Sequence, residues 1–353
     1  MIKMLSDRTE RILQFIVGQY IASAMPVSSQ CVTDNCELGV SSATVRNEMA
    51  SLEREAYIVR PHPSAGSVPS DKGYRRYVQS LGDVKLPVAE QRMVSHVFHQ
   101  VERRLDQWVN LAATLIAQMV QNVAVVTVLK SDACRFKHME LVSLKDSLTL
   151  AVFVLNGAKV RQQLVAFVRP MPQSELTAIA GEFTARCQGL TRSQISNKRA
   201  GLSSVQLQIV DCLTKLMEAE DNQEYEEQYL DGLHFTLSQP EFAGNQRMSV
   251  LMELVEQRSL LKSILPPGLP SRGITIVIGE ENKAEVIRDY SVVIGHYGLP
   301  EEAVGTIGVI GPTRMSYARA IAVVEYLSLV LSGMAAWLYG RDTPAESDRN
   351  STN

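Results

Sequence analysis

Between Gly39 and Glu55, small hydroxyl side chains lead into two residue types that read nucleic-acid bases. Ser41, Ser42, Thr44, Arg46 and Asn47 fill the first two turns of a segment in which Val45, Met49 and Leu52 recur at i, i+4 and i+7. That apolar spacing turns three core side chains to one side of a helix and leaves the hydroxyls, the guanidinium and the amide on the other. Arg offers paired donors to the major-groove edge of guanine, and Asn offers a donor and an acceptor to adenine. Ser41 and Ser42 at the start of such a helix suit a cap and a phosphate contact. Without a nucleic acid, the same residues are an ordinary solvated helix face.

The elements around this helix decide between the two readings. A first helix is expected from a Ser or Asp cap near Ser6, with Ile12, Phe15 and Ile16 on its apolar face. Ala24 to Ser29 breaks it, and Ser28 or Ser29 caps a short second helix to about Asn35. Leu38-Gly39-Val40 is a tight turn, and Ser41 starts the third helix. Two helices across a short glycine-containing turn form the helix-turn-helix pattern, whose second helix enters the major groove. Tyr57 to Arg60 follows as a strand, Pro61 to Ser67 as a Pro/Gly loop, and Val68-Pro69 as the return. This is a wing, from which Arg60, His62, Ser64 and Ser67 are expected to meet the DNA backbone. A basic, aromatic helix, Ser70 to Tyr77, closes the region, its Lys72, Arg75 and Arg76 either phosphate contacts or solvated.

Beyond a linker at 82–90, a helix is expected from about Glu90 to Gln121. Val123–Leu129, His138–Leu144, Leu148–Leu155 and Val160–Val168 read as one antiparallel sheet, turned at Asn156-Gly157. Helices Gln173–Cys187 and Ser203–Glu220 and an acidic stretch to Glu227 read as an inserted helical module. A long helix, Asn245–Leu265, precedes strands Gly273–Gly279, Tyr290–Tyr297 and Thr306–Ile310, and a last helix, Met315–Trp337, covers the sheet. Strands on both sides of a helical insert imply one α/β domain interrupted by another.

Composition excludes several classes of function. The 353 residues carry a net charge of −3, so bulk electrostatics does not drive nucleic-acid binding, and residues 1–80 hold nine Lys or Arg against eight Asp or Glu. Specific contacts from a small face, doubled in a dimer, would have to carry it. Five cysteines, Cys31, Cys36, Cys134, Cys187 and Cys212, show no CxxC pair, and the histidines show no ligand spacing. Neither a metal nor a cofactor is expected. The opening residues lack the apolar run of a signal peptide, so a reducing, cytoplasmic setting is expected. Ile321–Tyr339 has Glu325 as its one charge, yet Ser328, Ser332 and Gly333 argue for a core helix and no membrane span. Gly305 to Pro312 lacks the Gly-Lys-Ser/Thr of a phosphate loop, and no paired carboxylates or activated nucleophile appear, so no enzyme is expected.

Two runs, Gly39 to Met49 and Pro61 to Arg75, closely resemble the heat-inducible transcription repressor family HrcA. Gln239-Pro240-Glu241-Phe242, Ile278 to Asn282 and Gly305 to Met315 resemble that family's C-terminal signatures. The resemblance implies a homodimeric repressor of chaperone genes that binds an inverted-repeat operator, the CIRCE element, and depends on the chaperonin GroEL. The implied fold is multidomain α+β: a winged helix-turn-helix domain at 1–80, a GAF-like domain at 81–168 and 237–342, an inserted dimerising domain at 169–236, and a disordered tail at 343–353. The family usually has Arg where this chain has Ser67, which predicts a weaker wing contact that Arg60 could offset. A GAF-like domain also admits a second reading, a regulator that responds to a small ligand.

Overall fold

Four serines start the four helices of the first eighty residues. The computed structural model describes residues 5–36, 39–62, 65–101, 104–130, 133–145, 147–156, 159–222, 228–242, 249, 252–253, 273–300 and 302–341. Helix α1 (Asp7–Ser23) begins behind Ser6, whose hydroxyl accepts from the Thr9 amide at 3.2 Å. Ser28 does the same for α2 (Ser29–Asn35), Ser41 for α3 (Ser42–Arg54) and Ser70 for α4 (Asp71–Ser80), each to the amide three residues on. Such a cap satisfies one of the amides a helix start leaves unpaired and contributes about 1 kcal/mol.

Between α3 and α4 lies a two-stranded ribbon, β1 (Ile58–Val59) against β2 (Val68–Pro69), with Ile58 opposite Pro69 and Val59 opposite Val68. Ser67 extends it, because its backbone exchanges two hydrogen bonds with Val27 at 2.8 and 2.9 Å, just ahead of α2. Gly66 permits this approach: a Cβ there would sit 2.6 Å from the Val27 carbonyl carbon. Ile12, Leu13, Ile16, Val17, Val32, Val45, Met49, Leu52, Ile58 and Tyr74 are buried in these elements.

Two compact units divide the chain: 1–128 with 228–297 and 306–331, and 129–227 with 298–305 and 332–353. In the first unit, α5 (Val88–Gln100) and α6 (Leu105–Val120) replace the single helix expected over this stretch. A five-stranded sheet follows in the order β7-β3-β10-β9-β8, with β3 Val123–Thr127, β7 Gln228–Asp231, β8 Ile274–Ile278, β9 Tyr290–Leu299 and β10 Ala303–Pro312. β3 is buried along its length, antiparallel to β10 (Val125 opposite Gly308) and to β7 (Val125 opposite Leu230). Val123, Val125, Val292, Ile294 and Ile310 make a core with Phe242, Ile287 and Tyr290, against which α10 (Leu233–Leu237) packs Leu233 and Leu237. The last helix, α11 (Tyr317–Leu338), is long and apolar enough to cross a membrane by composition. Its Tyr317, Ala320, Val323, Val324, Leu327 and Leu331 are buried, and Val324 and Ser328 lie against Gly295 of β9. One side of the helix thus packs on the sheet, while Leu329 and Trp337 are exposed.

The second unit corrects two expectations. Strands β4 (Phe136–Lys145), β5 (Leu148–Leu155) and β6 (Val160–Ala166) form a sheet of their own, so Val123–Thr127 is no member of it. That sheet shares one core with α7 (Gln173–Cys187), α8 (Arg192–Asn197) and α9 (Ser204–Asn222): Met139, Leu141 and Phe153 pack with Leu176, Ile195 and Leu213, and Phe136 meets Phe183 edge-on at 5.5 Å. The interrupting module therefore begins near Leu129, and not at residue 169 as expected. Inside it, Glu220 accepts from Lys159 and Arg161 at 3.0 and 2.6 Å, cations that hold its carboxyl below the ordinary range against the opposing pull of burial. Ser64, nearly all of the expected helix Asn245–Leu265 and the tail at 343–353 lie outside the described residues.

Gly66→Ala is expected to cost about 1 to 3 kcal/mol, the range for forcing atoms into a packed site. A melt of purified protein followed by circular dichroism checks this, and an unchanged midpoint would mean that the hairpin moves aside without cost.

Candidate nucleic-acid interface

Helix α3 is fixed by apolar contact on one side and by a carboxylate on its flank. Val45, Met49 and Leu52 are buried at helical spacing. Glu48, next to that stripe, accepts from Thr9 Oγ1 at 2.8 Å and from Arg8 Nε at 2.9 Å and Nη2 at 2.5 Å, all from the first turn of α1. The Thr9 hydroxyl also meets Ser6 Oγ at 2.6 Å, which ties the cap of α1 into the same cluster. The bonds from Thr9 and then Arg8 hold the Glu48 carboxyl below the ordinary glutamate range. Helix α3 is thus braced against both rotation and sliding.

Opposite the buried stripe, Ala43, Arg46, Asn47 and Ala50 are exposed at i, i+3, i+4 and i+7. Two alanines flank the Arg and the Asn, so nothing bulky stops this face from approaching a flat partner. Thr44 is half-buried, with its hydroxyl 3.1 Å from Ser41 Oγ. Ser41 caps the helix and Ser42 is half-buried.

The other expected contact residues divide sharply. Arg60 is exposed and pairs with Glu53 at 3.3 Å, a surface pair worth at most about 1 kcal/mol and readily exchanged for a phosphate. His62 is exposed at the tip of the hairpin, its carbonyl accepting from the Ala65 amide at 2.9 Å. Ser67 is 1% exposed, and its hydroxyl is buried without a partner among the described residues. Its side chain faces inward beneath the hairpin and cannot reach a phosphate, which corrects the contact expected of it. Lys72 donates to the Glu55 carbonyl at 2.7 Å and stands 4.2 Å above the Tyr57 ring. Arg75 is turned away from α3: its Nε donates to Glu281 at 2.7 Å and its Nη2 to both Glu281 and the Ile276 carbonyl, again at 2.7 Å for the latter. Arg76 donates to Glu10 at 2.6 Å. Of Arg46, Arg60, Lys72, Arg75 and Arg76, Arg46 is the one with neither a carboxylate nor a carbonyl partner among the described residues, and Asn47 beside it is likewise unpartnered.

Comparison with known proteins places the chain in a family. A family model described as the HrcA protein C terminal domain matches residues 106–321. The chain belongs to the HrcA family. A heat-inducible transcription repressor HrcA from Dehalococcoides mccartyi is 51% identical over 345 residues, covering 98% of this chain and all of that protein. One from Roseiflexus castenholzii is 38% identical over 95% of this chain and 96% of its own length. A solved structure described as that of a hypothetical protein matches with a TM-score of 0.60 at 24% identity, over 95% of this chain and 98% of that one, which is a likeness of fold. HrcA relatives of this length include the first eighty residues, where α3 and the hairpin lie.

Glu48 was not among the residues singled out from the sequence. A signal was present: a carboxylate one residue from the buried Met49 stands at the edge of the core face, where it needs a cation or hydroxyl to accept. Because the folded Glu48 titrates below its ordinary value of 4.5, its stabilisation is present above that pH and is lost as pH falls through the folded value. Glu48→Gln should lower the melting temperature at neutral pH, and its gap from the parent should close on acidification below pH 4. Thermal melts of both proteins across pH 3 to 7 check this, and a gap that does not change with pH would remove the ionic role.

Proposed function

We propose that this HrcA-family chain is a sequence-specific, DNA-binding repressor of heat-shock chaperone genes. In this reading residues 1–80 are a winged helix-turn-helix in which α3 enters the major groove and the β1–β2 hairpin is the wing. The carrying observation is the exposed stripe on α3, with Arg46 and Asn47 unpartnered among the described residues on a helix locked by Glu48. Arg60 and His62 supply backbone contacts from the wing, and Ser41 and Ser42 supply them from the helix start. Cytoplasmic location, the CIRCE-type inverted repeat and dependence on GroEL follow from the family resemblance. The five-stranded unit corresponds to the GAF-like domain of that reading.

A palindromic operator calls for a two-fold protein, and the second unit carries a surface suited to one. Val142, Leu150 and Leu164 lie opposite one another across β4, β5 and β6, on the face directed away from the α7–α9 core. Val142 is 41% exposed and Leu164 54%. Aligned aliphatics on a sheet face favour burial against a second copy.

Arg46→Ala is expected to weaken binding to the inverted repeat by roughly 10- to 100-fold, as loss of a bidentate base contact does, while binding to a scrambled duplex changes little. Fluorescence anisotropy across a salt series, with and without chaperonin, measures both. Equal affinity of the parent for both duplexes would refute base readout. Leu164→Glu should turn the dimer into monomer in sedimentation velocity and lower operator affinity with it, whereas an undisturbed dimer would move the interface elsewhere.

A further inference from the structure

The family-like runs outside α3 and the wing are not needed for the DNA contacts proposed above. Structurally they meet at one place, where the first eighty residues rest on the five-stranded body. From the α4 side, the Asp71 carboxylate accepts from the Glu280 amide at 2.8 Å and lies so close to Gly279 that a Cβ there would overlap it. Gly279 also has φ +53, a conformation that suits glycine. One turn on, Arg75 grips both oxygens of Glu281, which the Ile278 amide also holds at 2.8 Å. Between them, the Tyr74 ring packs on Tyr317 with centroids 5.8 Å apart. The Tyr317 hydroxyl is anchored in turn to Ser291 Oγ at 2.8 Å and to the Thr313 carbonyl at 2.6 Å.

Arg314 forms the second attachment. Its Nη1 donates to the Ile21 carbonyl at 2.8 Å, while Nε and Nη2 hold the two oxygens of Glu241 at 2.5 and 3.2 Å. Ile21 lies in the last turn of α1, which has no basic residue of its own. A helix end presents unpaired carbonyls and a partial negative charge, so a guanidinium 293 residues away in sequence completes α1. Two attachments, one through α4 and one through the end of α1, resist rotation in a way that a single one would not.

We propose that Asp71, Arg75 and Arg314 are positioning residues that fix the orientation of α3 relative to the body and thereby set the half-site spacing a dimer accepts. This rests on the reading of α3 as a DNA-recognition helix. Adding one base pair between half-sites moves a groove by roughly 3.4 Å and turns it by about a tenth of a revolution. Heads clamped to the body cannot follow that turn by pivoting on it, whereas heads on a free tether can.

The test uses the full chain with Arg314→Gln and Glu281→Gln, singly and together. A pair of spin labels, on Ala50 of α3 and on Lys283 of the body, reports the orientation without DNA. The expected result is one narrow distance in the parent and a broadened distribution in the double variant. On inverted repeats with spacers altered by one base pair, the parent should lose affinity on the order of tenfold and the double variant no more than about threefold. Binding to a single half-site should be unchanged. If the double variant folds poorly, the exchange Arg75→Glu with Glu281→Arg should restore a narrow distance that Glu281→Gln alone loses. An unchanged label distance in the variants would overturn the inference. So would retained spacing discrimination. A parent that binds no inverted repeat would defeat the DNA reading instead, and the label distances would still decide the clamp.

Discussion

Helix α4 belongs to two packed environments at once, and the arrangement of the first unit depends on that. On one side Gly73 lies so close to the Tyr57 carbonyl that any side chain would overlap it, which seats α4 on the residue that links α3 to the hairpin. On the other, Tyr74 is 2% exposed against Tyr317, the first residue of α11. Burial pushes both phenols far above their ordinary range, so they stay neutral and add no charge to the contact. Ten residues thereby transmit the position of the body to the hairpin and to α3, with no flexible link between.

Charge in the first eighty residues follows from the same requirement. Arg8, Arg60, Arg75 and Arg76 pair with Glu48, Glu53, Glu281 and Glu10, and Lys72 lies over an aromatic ring and a carbonyl. A nearly neutral balance therefore conceals a spatial division: these five cations are matched, whereas Arg46 on the exposed stripe, like Arg11 on α1, has no carboxylate partner among the described residues. Net charge alone would miss this, because it sums groups whose fields largely cancel at contact distance.

Local chemistry was readable in the sequence. The cap at Ser41, the caps left open between neighbouring residues near Ser6 and Ser28, the spacing of Val45, Met49 and Leu52, and the break at the hairpin rest on interactions within a few residues, and the structure places them accordingly, adding Ser70 as the cap of α4. Arg75 and Ser67 were misjudged for opposite reasons. Arg75 sits on a half-exposed helix face, but its partner is 206 residues distant, and no local pattern marks such a pairing. Ser67 was expected at the DNA backbone because it lies in the wing where the family usually has Arg, yet it is 1% exposed and its backbone is bridged twice to Val27. The grouping of Val123–Thr127 with the wrong sheet has the same origin. An apolar β run announces burial but not its neighbours, and β5 was nearer in sequence than the true partners.

Those true partners carry a kinetic consequence. β3 occupies an interior place in its sheet, yet its two neighbours are made more than a hundred and about one hundred and eighty residues later, with a whole second core between. During synthesis β3 emerges with both edges unpaired and waits for β7 and then β10. Loop closure over such lengths slows folding and leaves apolar strand edges open to wrong pairing. A chain wired in this order spends longer in the reach of aggregation than a locally connected chain of equal size.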